Sequence, residues 1–144
     1  MSDATADIFT ADILRYPPGR EAADLVILDA PCTSSGTLRK NPDLKNKIAA
    51  ETVRRNAGQQ KLMLASLAAR FPHSRLLYAV CSFLREESEE VVEKAAVARG
   101  LRPAALTPLL SKYGFRLKQG KYGVYLLPSD LNNDLFYISL LEPK

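Results

Sequence analysis

The sequence predicts an α/β fold whose sheet combines parallel strands with an antiparallel edge. Two apolar runs, at 25–29 and 76–81, have the near-continuous hydrophobicity of buried parallel strands. A helical pattern follows each run, over 44–70 and 86–99. Beyond Pro108 the pattern changes to short strands without helices between them. This order of strand, helix, strand, helix and further strands is typical of the predicted fold class.

The elements of the N-terminal part are defined by short apolar runs and breaks between them. Ile8-Phe9 indicates a short strand, and the stretch at 16–19, Tyr-Pro-Pro-Gly, breaks the chain after it. We expect the strand at 25–29 to be covered on both faces of the sheet. A loop rich in Thr, Ser and Gly follows over 31–42.

The two helical patterns differ in length and in the residues that end them. We expect the pattern over 44–70 to form two pieces around 56–58. The second piece should turn one broad apolar stripe inward: Leu62, Ala65 and Ala69, with Met63 and Leu67 beside them. The second helix, over 86–99, carries acidic residues in its first turns and has Gly100 as its expected C-cap.

The C-terminal part contains three predicted strands. Those at 115–117 and 122–127 are joined through Gln119-Gly120, which predicts a hairpin or a bulged turn. The last strand is expected over 135–141. These strands form the predicted antiparallel edge.

The composition indicates one globular domain. The chain has 144 residues, 47% of them hydrophobic and 25% charged, enough for one core and too few for two ordinary domains. No apolar stretch is long enough for a membrane span, and the first residues lack the layout of a secretion signal. With two cysteines and one histidine, we expect neither a disulfide framework nor a metal site. The expected location is cytoplasmic, or nuclear or nucleolar in a eukaryote.

The charge distribution is compatible with a polyanionic partner such as RNA. The formal net charge is +4. Basic residues crowd the segment after Cys32 and recur at 116–121, whereas acidic residues concentrate at 86–93. A basic surface of this kind binds phosphates, but solvated helix faces explain the same residues equally well, so both interpretations stay open.

The two cysteines lie at the ends of the two predicted buried strands. Cys32 follows Asp29-Ala30-Pro31, and Cys81 ends the second run. Because the carboxyl ends of parallel strands meet at one edge of a sheet, we expect Asp29 and both thiols in one crevice. Taken singly, each cysteine is explained as well by burial as a small apolar side chain. A helix starting near Glu86 favours a thiolate at Cys81, whereas the neighbouring glutamates oppose it.

Two thiols and a carboxylate suit the methylation of a pyrimidine at C5. A thiolate that adds to C6 makes C5 nucleophilic toward an electrophilic methyl group. An acid stabilises the ring nitrogen during this addition, and the C5 proton must be removed before the thiol leaves. Cys81, Asp29 and Cys32 are residue types that these roles need.

Two stretches resemble motifs of the Sun-type RNA cytosine-5 methyltransferases. Residues 29–45 begin Asp-Ala-Pro-Cys and continue into a basic stretch with Pro-Asp, which is similar to motif IV, Asp-Ala-Pro-Cys-Ser-Gly-x-Gly. Residues 78–92 place Cys81-Ser82 before a glutamate-rich helix, which is similar to motif VI, Thr-Cys-Ser. The last strand also resembles that of the family, so the resemblance covers nearly the whole chain. It implies a partial Rossmann-like class I methyltransferase fold.

The resemblance implies a catalytic role for three residues in the formation of 5-methylcytosine in rRNA or tRNA. Cys81 would be the nucleophile toward C6, and Cys32 would assist elimination and RNA release. Asp29 would hydrogen-bond the target cytosine, which must be unpaired or flipped out of its helix.

The same resemblance implies the binding residues. Pro31 would shape the cytosine pocket. Asp12 would contact the adenosine part of the cofactor, S-adenosyl-L-methionine, and Asp29 is the second expected cofactor contact. Arg39 and Lys40 are expected to approach RNA phosphates.

The chain departs from the family pattern at several places. Val80 replaces a threonine, Ser34-Ser35 replace a Ser-Gly pair, and 71–74 replaces a Pro-Gly-Gly turn. The glycine-rich cofactor loop of the family lies upstream of the aspartate that matches Asp12, and residues 1–10 do not contain it. We therefore expect residues 1–144 to be the C-terminal part of a catalytic domain. It is either a fragment of a larger enzyme or a half completed at an open sheet edge by a second chain or by self-association.

Other functions are compatible with parts of this pattern. A non-catalytic RNA- or protein-binding subunit would keep the fold without the cofactor loop, although Asp29, Cys32 and Cys81 argue against it. A thiol-redox protein is a weaker alternative, since neither cysteine has a resolving partner nearby in sequence. DNA cytosine-5 methyltransferases share the chemistry but use a Pro-Cys thiol as nucleophile. The second cysteine therefore favours the RNA enzymes.

Overall fold

The computed structural model describes residues 10–15 and 23–144. The predicted strand at Ile8-Phe9 lies outside these residues. Residues 13–15 form a turn in which Asp12 accepts the backbone N–H of Leu14 at 2.9 Å. Within the described ranges, no helix combines the length and the apolar character that a membrane crossing requires.

A six-stranded mixed sheet forms the centre of the fold, in the order β1-β2-β6-β5-β4, with β3 also paired to β6. β1 and β2 are parallel, and all other pairs are antiparallel. The predicted α/β fold with a parallel portion and an antiparallel edge is therefore confirmed. The strands are β1 (Leu25–Asp29), β2 (Arg75–Val80), β3 (Arg102–Pro103), β4 (Arg116–Gln119), β5 (Val124–Leu127) and β6 (Phe136–Glu142).

Within residues 10–15 and 23–144, three α-helices and four short 3-10 helices complete the fold. The α-helices are α1 (Ala50–Arg70), α2 (Glu89–Ala95) and α3 (Thr107–Ser111). The 3-10 helices are Ser35–Thr37, Pro42–Asn46, Arg85–Glu87 and Val97–Arg99. The last of these ends at Gly100 in the left-handed conformation (φ 95°). Gly100 is the residue that we predicted as C-cap of a helix over 86–99. Neither β3 nor α3 was predicted.

Helix α1 is continuous, so the predicted break at 56–58 is wrong. Gly58 costs an exposed helix about 1 kcal/mol relative to alanine, but burial of the helix face outweighs this. The predicted inner stripe is wrong at Leu62, which is 61% exposed, and correct at Leu67, which is buried. The buried side chains instead alternate at intervals of four and three, which keeps one face toward the sheet: Val53, Ala57, Gln60, Leu64 and Leu67.

Strand β1 is covered on one face only by the described residues, which corrects the expectation of two covered faces. Leu28 is buried and Val26 half-buried, and both pack in the core cluster with α1 and α2. Leu25 and Ile27, on the opposite face, are 40% and 62% exposed. The second core cluster lies around Leu106 and β5. Helix α3 packs beside the neighbouring strand β4.

Candidate active site at the two cysteines

The two thiols lie together at the carboxyl ends of β1 and β2. These strands are parallel neighbours with Asp29 opposite Ala79, and the pairing extends to a bond from Ala30 N–H to the Ala79 carbonyl at 3.0 Å. The chain leaves both strands at the same edge, so the sulfur atoms of Cys32 and Cys81 are 3.4 Å apart. Both are free and partly accessible. The structure thus brings together the two predicted catalytic sulfurs.

The environment of Cys32 favours its neutral thiol. Burial raises the pKa of Cys32 to about 12, and the backbone of Ser34 opposes this shift by a hydrogen bond. Cys81, through a hydrogen bond and its charge, and the charge of Glu87 raise this pKa further. At neutral pH, Cys32 therefore keeps its proton beside the sulfur of Cys81.

A buried carboxylate joins the loops that carry the thiols. Glu87, fully buried, accepts the backbone N–H of Thr33 at 2.9 Å and its hydroxyl at 2.6 Å. It also accepts the hydroxyl of Ser82 at 2.7 Å. Thr33 follows one cysteine and Ser82 follows the other, so this single side chain connects both loops.

The amide of Gln60 supports the same arrangement from α1. Its Nε2 donates to the carbonyl of Pro31 at 2.8 Å and lies 3.4 Å from Oε1 of Glu87. We did not predict a role for either Gln60 or Glu87. In the sequence, Gln60 is distinguished only by its position on α1, where inward-facing residues recur at intervals of four and three. Glu87 had no comparable signal, because it lies in an acidic run that we assigned to the first turns of a helix.

Short backbone contacts pack the Cys32 loop against two strands. Gly36 donates its N–H to the carbonyl of Cys81 at 2.9 Å, and its carbonyl accepts the N–H of Leu135 at 3.2 Å. Ser34 has a left-handed backbone (φ 56°), and its hydroxyl lies 3.5 Å from the sulfur of Cys81. The loop is therefore held at Cys81 by main-chain bonds and by the hydroxyls of Ser34 and Ser35.

The other predicted residues near the thiols lie at the surface. Asp29 and Pro31 are exposed at the end of β1. Asp29 falls on the exposed face of β1, with Leu25 and Ile27, whereas the carbonyl of Pro31 is bound to α1. That Asp29 shares one crevice with the thiols stays a prediction.

The two predicted phosphate-binding cations contact a neighbouring loop. Arg39 donates to Oδ1 of Asn132 at 2.8 Å, and Nζ of Lys40 lies 3.1 Å from Oδ2 of Asp134. The second contact partly neutralises the charge of Lys40. Their approach to RNA stays a prediction.

Asp12 lies away from the thiols. It is exposed and pairs with Arg15 at 3.4 Å. Arg70, the last residue of α1, donates to the carbonyl of Leu14 at 3.3 Å, about 15 Å along the helix from Gln60 at 1.5 Å per residue. The structure therefore does not bring Asp12 together with Cys32 and Cys81.

The described residues do not enclose a methyl donor. Asp29 is exposed at the end of β1, and Asp12 is exposed and paired with Arg15. A donor therefore needs additional groups to complete its site. In the described part of the chain, no cluster of three or more His, Cys, Asp or Glu side chains is arranged to hold a metal ion.

Comparison with known sequences identifies the family. The sequence model described as 16S rRNA methyltransferase RsmB/F matches residues 2–142. Ribosomal RNA small subunit methyltransferase B of Thermus thermophilus is 35% identical over 134 residues, which are 91% of this chain and 32% of that protein. The corresponding probable enzyme of Coxiella burnetii is 34% identical over 122 residues, 84% of this chain and 27% of that protein. The chain thus spans about a third or less of the length of these relatives.

Solved structures agree in fold. The protein PH0851 is 31% identical, with a TM-score of 0.64 over 92% of this chain and 30% of that one. NSun6 from Pyrococcus horikoshii, solved with SFG, has the same TM-score over 94% of this chain and 34% of that one, at 20% identity, and shows the fold alone. The predicted Rossmann-like methyltransferase fold and the resemblance to Sun-type enzymes are therefore confirmed. By its sequence and its fold, this chain belongs to the 16S rRNA methyltransferase RsmB/F family of RNA methyltransferases.

Proposed function

We propose that this chain carries the thiol site of an enzyme that forms 5-methylcytosine in RNA, with S-adenosyl-L-methionine as methyl donor. The observation that supports it most is the 3.4 Å separation of the Cys32 and Cys81 sulfurs at the ends of two parallel strands, in a chain of an RNA methyltransferase family. The activity is proposed for the whole enzyme. A longer protein or a second chain would complete the donor site that the described residues leave open.

Cys81 acts first in this mechanism. Its thiolate attacks C6 of the cytosine, and the S–C6 bond forms as the electrons of the C5–C6 double bond shift into the ring, which makes C5 nucleophilic. The accessible carboxyl group of Asp29 hydrogen-bonds the edge of the ring and stabilises the charge that develops on the ring nitrogen. Proximity of ring and sulfur in one crevice lowers the entropic cost of the addition.

Cys32 assists the later cleavage of the S–C6 bond. Once C5 carries the methyl group, its proton passes to a base or to water, the double bond re-forms and the S–C6 bond breaks. The Cys32 thiol, which keeps its proton because burial raises its pKa to about 12, lies 3.4 Å from the departing sulfur. It donates a hydrogen bond to that sulfur and so stabilises Cys81 as the leaving group.

The proposed substrate is a ribosomal RNA. The relatives named above are called ribosomal RNA small subunit methyltransferases, and the net charge of +4 suits a polyanion. Two half-buried sulfurs cannot reach C6 inside a stacked duplex, so the target base must be unpaired or flipped out. Arg39 and Lys40 would exchange their contacts with the 132–134 loop for RNA phosphates.

Covalent trapping tests the two thiol roles. With S-adenosyl-L-methionine and RNA that contains 5-fluorocytosine, the enzyme should form a stable adduct, because fluorine at C5 cannot be removed as a proton. Cys81→Ala should abolish this adduct. Cys32→Ala should instead accumulate a covalent complex with ordinary cytosine RNA, since elimination is slowed. Denaturing gels with labelled RNA measure both, with Ser111→Ala, at an exposed position, as the control. The reverse pattern would refute the assignment of roles.

A non-catalytic binding subunit is the second candidate. The placement of Asp12 away from the sulfurs and the open donor site favour it. In the same experiment, binding of RNA without any adduct in the assembled protein would support this candidate against the enzyme.

A further inference from the structure

Glu87 is a buried carboxylate that the proposed chemistry does not use. Its side chain is fully buried, and no lysine or arginine of the described ranges forms a salt bridge with it. An ion in such a place is costly unless hydrogen bonds replace its water. Neutral donors alone supply these bonds, from Thr33, Ser82 and Gln60.

The donors to Glu87 are distributed over both thiol loops. Thr33 donates its N–H to Oε1 of Glu87 and its hydroxyl to Oε2. The residue after Cys32 is therefore held by two hydrogen bonds. Ser82 donates to the second oxygen and also contacts the hydroxyl of Ser35 at 2.9 Å. Removing the carboxylate would therefore release both loops at once.

The position of the charge also bears on the sulfurs. A buried negative charge opposes a second one nearby, because the low dielectric constant of the interior strengthens repulsion. Burial is the main reason that the pKa of Cys32 is raised, and the charge of Glu87 adds to it. Tyr78 donates its hydroxyl to the Glu87 carbonyl at 2.7 Å, which holds the residue from β2 as well.

We propose that Glu87 is the positioning residue of the thiol pair: its carboxylate ties the Cys32 loop to the Cys81 loop and sets a buried acidic group against the Cys32 loop. This inference rests on the proposed function for its biological meaning, but its tests need neither RNA nor methyl donor. Failure of methyl transfer would therefore count against the proposed function alone, and unchanged thiol chemistry would count against this inference alone.

The charge is tested by alkylation of the folded chain with iodoacetamide, with each cysteine quantified by mass spectrometry across a pH series. Glu87→Gln removes the charge at nearly constant shape, and Glu86→Gln removes the same charge from the exposed neighbouring residue. In Glu87→Gln the pH profile of Cys32 alkylation should move to lower pH, because one of the groups that oppose its thiolate is neutralised. Loosened packing alone would accelerate Cys32 and Cys81 equally and would not shift the profile.

The tie is tested by capture of both sulfurs with phenylarsine oxide, whose arsenic binds two neighbouring thiols. Thr33→Val removes one hydroxyl bond to Glu87 and leaves the charge, so capture should weaken by roughly tenfold or more as the sulfurs separate. This variant also carries the test if Glu87→Gln does not fold. An unshifted Cys32 profile in folded Glu87→Gln, an equal shift in Glu86→Gln, or undiminished capture in Thr33→Val would each overturn the proposal.

Discussion

At the scale of single residues, the active-site loop depends on a position with no room for a side chain. A Cβ atom on Gly36 would lie 2.2 Å from the carbonyl oxygen of Leu135 and 3.1 Å from that of Cys81. Both carbonyls are backbone atoms of the strand ends, so neither can rotate away. Gly58 is the opposite case, since nothing lies within 4 Å of a Cβ there.

Gly36→Ala should therefore destabilise the chain while Gly58→Ala stabilises it. The overlap at Gly36 forces the Cys32 loop away from β6, at an expected cost of about 1–3 kcal/mol or more. In the exposed helix position of Gly58, alanine should add up to about 1 kcal/mol. Urea unfolding followed by circular dichroism measures both. Equal stability of Gly36→Ala and the natural chain would contradict the close approach.

At the scale of elements, a second buried glutamate attaches α2 to the β4–β5 turn. Glu89 accepts the N–H of Lys121 at 3.1 Å and that of Tyr122 at 2.9 Å. One helical turn later, Glu93 accepts the Tyr122 hydroxyl at 2.6 Å, and this bond is the main reason that the pKa of Glu93 is lowered. The acidic run at 86–93 therefore contains two buried structural carboxylates, Glu87 and Glu89, and is only partly a solvated face.

Glu89→Ala should uncouple the hairpin from α2. Two N–H groups lose their partner. The loss at the half-buried Tyr122 should cost about 1–3 kcal/mol, and the loss at the exposed Lys121 less, because water can replace that bond. Glu90→Ala is the matched control, because Glu90 forms only a surface pair with Lys94, worth about 0–1 kcal/mol. Thermal unfolding and amide exchange at Lys121 and Tyr122 report the loss. Protection of these two amides that survives in Glu89→Ala would contradict the attachment.

At the scale of the whole molecule, several ionisable groups are buried in their neutral form on the core side of the sheet. Burial raises the pKa of Cys32, Tyr78 and Tyr137 above the usual values for thiols and phenols. Tyr78 and Tyr137 are fully buried and pack edge to face with ring centroids 6.4 Å apart. The folded state thus resists deprotonation more strongly than the unfolded chain does.

The stability of the chain should decrease at alkaline pH. A group whose pKa is raised by folding stabilises the folded state fully below its unfolded pKa, here 9.0 for Cys32 and 10.0 for the tyrosines. That contribution is lost as pH rises above these values. The urea midpoint should therefore fall as the pH rises above about 9. In Cys32→Ala the midpoint should fall less between about pH 9 and pH 10. A midpoint that is constant to about pH 11 would contradict the burial of these groups.

The order β1, α1, β2, α2 and the three C-terminal strands, the parallel pair β1 and β2, and the meeting of two cysteines at its end were predictable from the sequence, whereas β3 and α3 were not. Continuous apolar runs report buried strands, and strand direction then places Cys32 and Cys81 at one edge. The motif at 29–45 indicated the protein family. The continuity of α1 was not predictable from Gly58 alone, because burial of one helix face outweighs a local propensity.

The tertiary structure alone decided which polar residues belong to the site. Glu87 and Gln60 are ordinary members of an acidic run and of a helix in sequence, and only packing of α1 and the Arg85–Glu87 turn onto the strand ends brings them to the thiol loops. It also decided that Ile27 is exposed and that Asp12 lies away from the sulfurs. Such contacts join residues far apart in the chain, and no local pattern encodes them. The sequence by itself determined the fold class and the placement of the two cysteines at strand ends, because apolar periodicity is a local property.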